Sequence, residues 1–65
     1  MLQINGKAIS LPESISLADY LRQEGYQLPL IAVEYNGAIL PKGIYETTLL
    51  SDGNTLEIVN FVGGG

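Results

Sequence analysis

Few side chains in this sequence could do covalent or acid–base chemistry. Its 65 residues include no cysteine and no histidine, which removes the common sulfur nucleophile, the usual neutral-pH base and the usual zinc ligands. Ser10, Ser14, Ser16 and Ser51 have no base to activate them and read as strand, loop, cap and turn residues. Glu13, Glu24, Glu46 and Glu57 read as a solvated surface rather than as an acid–base pair. With no phosphate-binding glycine loop and no metal-ligand spacing, the expectation is no catalytic side chain, no metal and no bound cofactor. Lys42, after Pro41, could meet a phosphate or an acidic partner, but an exposed loop lysine is the plainer reading.

What remains is Gly63-Gly64-Gly65. For an arbitrary chain such a stretch is commonly a frayed tail or an expression scar. Its other reading starts from geometry. Three residues without Cβ atoms take nearly any φ/ψ and could pass through a channel too narrow for side chains. They reach about 10 Å beyond Val62 when extended and would deliver the Gly65 carboxylate into another protein's active site. That carboxylate, with a reference pKa near ~3.5, is an anion at neutral pH and a poor electrophile. Reaction requires activation, for example as an acyl-adenylate from which sulfur could displace AMP. Nothing in this chain binds ATP or supplies sulfur, so larger partners would do the catalysis.

The elements that would position this terminus can be read from hydrophobic spacing. Leu2, Ile4, Ile9 and Leu11 flank Asn5-Gly6-Lys7 and predict a hairpin with one inward face. Ser16, with Asp19 three residues on, predicts a helix cap, an apolar stripe of Leu17, Tyr20 and Leu21, and a stop at Gly25. A second hairpin is expected from Ile31–Tyr35 through Asn36-Gly37 to Ala38-Ile39-Leu40, where Pro41 removes a backbone donor. Residues 42–50 lack a clean period; a short helical turn and a crossover are expected, with Ile44, Tyr45, Leu49 and Leu50 available for the core. Ser51-Asp52-Gly53-Asn54 is a turn before a final strand over 55–62.

This order, β-β-α-β-β-β, describes an α+β fold of the β-grasp (ubiquitin-like) type: a mixed sheet of about five strands with one short helix packed across one face. Crossover rules place the last strand parallel to the first in the sheet centre. The expected division is a domain over 1–62 and a flexible tail over 63–65. On the last strand, Leu56 and Ile58 should meet the helix, leaving Val59 and Phe61 on the open face as a docking patch with Val62, unless the 42–50 crossover covers them.

Composition narrows the partners. The net charge is −4, and Lys7, Arg22 and Lys42 are the only basic side chains, a field unsuited to a nucleic-acid backbone. No stretch approaches the roughly 20 apolar residues of a bilayer span, and the first residues lack a secretory pattern, so a cytoplasmic location and a free monomer are the expectations. At 46% hydrophobic the chain should fold, although a domain this small reaches only about 3–5 kcal/mol of net stability.

Several segments together resemble the ThiS family, the ubiquitin-like sulfur carriers of thiamin biosynthesis. They are the Asn5-Gly6 hairpin, the stretch Val33-Glu34-Tyr35-Asn36-Gly37-Ala38-Ile39-Leu40-Pro41-Lys42, the run Thr48-Leu49-Leu50-Ser51-Asp52-Gly53-Asn54, and Leu56-Glu57-Ile58-Val59 leading into Val62-Gly63-Gly64-Gly65. Lys42 stands where members often carry Arg, Tyr45 where they often carry Trp, and Asn54 where Asp is usual. The resemblance implies that Gly65 is adenylated by a ThiF-type enzyme using ATP and becomes a thiocarboxylate. Sulfur would come from a donor such as a cysteine desulfurase and pass to a ThiG-type thiazole synthase. The chain would then be a protein co-substrate rather than an enzyme. Two alternatives share the C-terminal activation: the small subunit of molybdopterin synthase, and a ubiquitin-like modifier joined to lysines.

Overall fold

A computed structural model describes residues 1–11 and 13–61. Both Asn-Gly pairs turn as their chemistry requires. Asn5 and Gly6 take φ of 50° and 83°, Asn36 and Gly37 49° and 90°, the double positive φ of the tight turn whose twist matches the flanking strands. The first turn joins β1 (Leu2–Ile4) to β2 (Lys7–Ile9), and the second joins β4 (Ile31–Tyr35) to β5 (Ala38–Ile39). The last strand, β7 (Thr55–Asn60), lies between the hairpins, parallel to β1 and antiparallel to β4. The order is β2-β1-β7-β4-β5, the expected β-grasp arrangement with first and last strands side by side. β7 runs to Asn60, and the Phe61 N–H extends its pairing by donating to the Leu30 carbonyl at 2.7 Å; Val62, the expected end of the strand, lies outside the described residues.

Helix α1 (Leu17–Gln23) begins where the Ser16 hydroxyl accepts the Asp19 N–H at 3.0 Å. It ends at Gly25, φ 88°, where the Gly25 and Tyr26 amides return to the Arg22 and Leu21 carbonyls, the paired bonds of a left-handed C-terminal stop. Leu17, Ala18, Tyr20 and Leu21 are buried in a cluster with Leu2, Ile4, Ile31, Val33, Leu56 and Ile58. Ile9 and Leu11 pack at its edge, only partly buried.

Residues 42–50 have a specific task that periodicity does not announce. After a 3-10 turn at Lys42–Ile44, the Tyr45 and Thr48 carbonyls accept the Ala18 and Leu17 N–H groups at 3.0 and 2.7 Å. With Ser16 they satisfy the first three amides of α1, which otherwise lack partners. The segment closes as β6 (Leu49–Leu50) against β3 (Ile15–Ser16), a separate two-stranded sheet. Tyr45 and Leu50 enter the core, whereas Ile44 and Leu49, also expected there, are exposed. Alternation along β6 sends only one of its two leucines inward, and Ile44 lies on the outer side of the 3-10 turn whose carbonyl accepts from the Thr47 and Thr48 hydroxyls.

Candidate functional site

The site is built on β7. As the central strand it is held from both sides by asparagines that also make the turns. Asn5 Oδ1 accepts the Ile58 N–H at 2.6 Å, while the Asn5 amide N–H donates to Leu56 O at 2.9 Å. On the other flank, Asn36 Oδ1 accepts the Thr55 N–H at 2.8 Å and its own N–H donates to Thr55 O at 2.8 Å. A turn could be made equally well by Asp-Gly or Gly-Gly. Each carboxamide adds an acceptor that continues the ladder where β1 and β4 have ended, and Asn5 Nδ2 also donates to the Ile58 carbonyl at 3.4 Å. These clamps were not anticipated from sequence, since the turn reading already accounted for both residues; the added signal is their adjacency to the central strand, visible only once topology is known.

Alternation divides β7 between two faces. Leu56 and Ile58 are buried under the helix. Val59 and Phe61 stay 51% and 55% exposed, so the crossover does not cover them. Across the open face the pairing forms rows: Glu57 opposite Glu34, which is itself opposite Ile39, then Val59 opposite Ala32, then Phe61 beside the exposed Leu30. The face is therefore graded, acidic midway along the strand and apolar where the chain leaves it. Val62, Gly63, Gly64 and Gly65, the rest of the expected site, lie outside the described residues.

Arg22 bridges Asp19 and Glu46 on the helix side. Its hydrogen bond to Glu46 is the main cause holding that carboxyl below the usual range and raising the guanidinium pKa. Burial pushes the Tyr20 and Tyr45 phenols up, with Glu24 adding to the effect at Tyr20. Among the described residues no three His, Cys, Asp or Glu side chains converge to hold a metal, and no helix is long and apolar enough to cross a membrane. The arrangement presents the end of β7 beside an apolar surface.

A small mixed sheet with a parallel first–last strand pair and one helix across it defines a β-grasp protein. Within that class, the ThiS family pattern matches residues 2–65, and the chain belongs to the ThiS family. It is 36% identical to the sulfur carrier protein ThiS of Bacillus subtilis (strain 168), covering all of both chains. It is 39% identical to a thiazole synthase of Paramagnetospirillum magneticum, where 98% of this chain matches 20% of that protein. The crystal structure of the thiamine biosynthesis protein ThiS from Geobacter metallireducens superimposes with a TM-score of 0.79 at 31% identity, covering 98% of this chain and 97% of that one.

Proposed function

We propose that this chain carries sulfur to the thiazole ring of thiamin as a thiocarboxylate on Gly65. Membership of the ThiS family supports the sulfur-carrier role, and the match to one fifth of a thiazole synthase supports partnership with that enzyme. The observation that carries the chemical reading is the exit of central strand β7 beside the uncovered Val59 and Phe61, followed in sequence by Gly63-Gly64-Gly65.

In the proposed cycle a ThiF-type enzyme binds ATP, the Gly65 carboxylate attacks the α-phosphate, and pyrophosphate leaves. A persulfide charged by a cysteine desulfurase or related donor then displaces AMP from the acyl carbon, giving an acyl disulfide; a thiol, acting as the reductant, attacks the sulfur that is not bonded to the acyl carbon, releasing the thiocarboxylate and leaving a disulfide. At a ThiG-type thiazole synthase the thiocarboxylate exchanges its sulfur for an oxygen from the acceptor or from water and returns as the carboxylate. Val59, Phe61 and Val62 would dock the domain on the partner while Gly63 and Gly64 pass through its channel. The test is the intact mass of the chain after incubation with adenylating enzyme, ATP and sulfur donor. Replacement of one oxygen by sulfur, absent when Gly65 is deleted, is expected. An unchanged mass under conditions that activate a known carrier contradicts the proposal, and lysine isopeptide conjugates without thiocarboxylate would favour a modifier.

A further inference from the structure

Asparagine followed by glycine is a chemically labile step in a protein chain, because a glycine nitrogen, with no side chain beside it, reaches the asparagine carboxamide carbon against little steric opposition. The sequence holds two such steps, Asn5-Gly6 and Asn36-Gly37, and the fold uses both as tight turns with positive φ at each residue. Among the described residues, neither the Gly6 nor the Gly37 N–H donates to a backbone carbonyl. Backbone shape and the attacking nitrogen therefore do not tell the two turns apart. A third candidate, Asp52-Gly53, differs in both respects: the Gly53 N–H donates to the Met1 carbonyl at 3.2 Å, and an ionised carboxylate is a poor electrophile.

The two carboxamides are held differently. Asn5 is fixed at both ends: Oδ1 accepts the Ile58 N–H at 2.6 Å and Nδ2 donates to the Ile58 carbonyl at 3.4 Å, both bonds partly buried against the central strand. Asn36 is fixed at one end, where Oδ1 accepts the Thr55 N–H at 2.8 Å in an exposed bond. Releasing the Asn5 side chain unpins both backbone groups of Ile58, a core residue. Releasing Asn36 unpins one amide of an exposed residue at the start of β7. The Asn36 turn also leads into β5, a two-residue edge strand with both residues exposed, so it opens without disturbing a buried side chain on that strand.

We infer that Asn36 is a modification site of this chain, converted in the folded protein to aspartate and isoaspartate by its own Gly37 nitrogen, while the clamp on Ile58 spares Asn5. The Gly37 nitrogen loses its proton to solvent and bonds to Asn36 Cγ; the Cγ–Nδ2 bond breaks and ammonia leaves. Water then opens the cyclic imide. Breaking the bond from Cγ to the Gly37 nitrogen gives aspartate, and breaking the bond from the Asn36 carbonyl carbon gives isoaspartate. Aspartate keeps an oxygen for the Thr55 N–H and adds one negative charge to the turn. Isoaspartate inserts a methylene into the main chain of a two-residue turn and disrupts the Tyr35–Ala38 pairing beside it. The change falls at the end of β7 remote from Phe61, so its cost is borne by the β4–β5 hairpin, whatever Gly65 carries.

The experiment incubates the full chain in mildly alkaline buffer, native and in denaturant, and follows each Asn-Gly step by peptide mass mapping, with isoaspartyl groups counted by an isoaspartate-specific methyltransferase. The denatured rate gives the intrinsic reactivity of each step, and its ratio to the native rate is the protection the fold provides. Protection should be at least about tenfold greater at Asn5 than at Asn36, and isoaspartyl groups in the native chain should map to residue 36. Equal protection overturns the inference, because reaction would then proceed only through global unfolding; greater protection at Asn36 overturns it outright. Asn36→Gly, a substitution the positive φ accepts, should abolish isoaspartyl labelling of the native chain over the same interval. Labelling that persists in this variant at the wild-type rate also overturns the inference, since another step would be the reactive one.

Discussion

On the inner face of the sheet, Leu2, Ile4, Ile31, Val33, Leu56 and Ile58 are buried beneath the helix. On the outer face the intervening positions include Val59 at 51% exposure and Glu57 in register with Glu34. The same strands supply both faces, and β7 contributes to each in alternate residues. The inner face satisfies itself, so its residues can be explained by folding alone. Among the described residues nothing covers the large apolar side chains of the outer face, the property a docking surface requires. In a domain with about 3–5 kcal/mol to hold it, the uncovered Val59 and Phe61 at the end of the central strand are the residues that folding alone explains least.

The comparison breaks most visibly under truncation at neighbouring positions of one strand. Leu56→Ala should cost about 2–5 kcal/mol, a large share of the stability of so small a domain, whereas Val59→Ala should stay within about 0.5 kcal/mol of wild type; urea denaturation of both reads the difference. Equal losses would mean that the outer face is also structural. Next in size are the two asparagine clamps. Asn5→Ala is expected to cost about 2–3 kcal/mol, from a residue forced into left-handed backbone and the loss of its part-buried bond to β7. Asn36→Ala should cost less, because its bond to Thr55 is exposed. Similar costs would show that both turns, rather than the clamp on the middle of β7, carry the effect.

The smallest effect is electrostatic. Glu46 has a folded pKa lowered by Arg22, so its stabilisation is complete above the ordinary glutamate value of about 4.3 and is lost as pH falls through the lowered folded value. Glu46→Gln should therefore slightly flatten the acid limb of a stability–pH curve and change little near neutrality, as expected of an exposed pair. A steeper acid limb in the variant would contradict the assignment.

Much of this was legible in residue order. Asn-Gly turns, the Ser16 cap, the Gly25 stop and the period of β7 are local signals, and each determined its element within a residue or two. The path of 42–50 was not legible, because its organising interaction is between carbonyls of Tyr45 and Thr48 and the amides of a helix some 30 residues earlier, which no side-chain pattern encodes. Hydrophobicity alone makes Ile44 and Leu49 available for the core, but a two-residue strand has room for only one inward leucine. In the site, Val59 and Phe61 followed from period 2, but the facing of Glu34 with Glu57 depends on register between strands more than 20 residues apart.

The most direct test of the division between faces is the rate of thiocarboxylate formation by Val59→Asp at limiting and at saturating carrier, with its melting midpoint recorded alongside. The account predicts near-wild-type melting, a rate at least about tenfold lower at limiting carrier, equivalent to about 1.4 kcal/mol of lost docking, and recovery toward the wild-type rate at saturation. A folded Val59→Asp that reacts as fast as wild type at limiting carrier would contradict it.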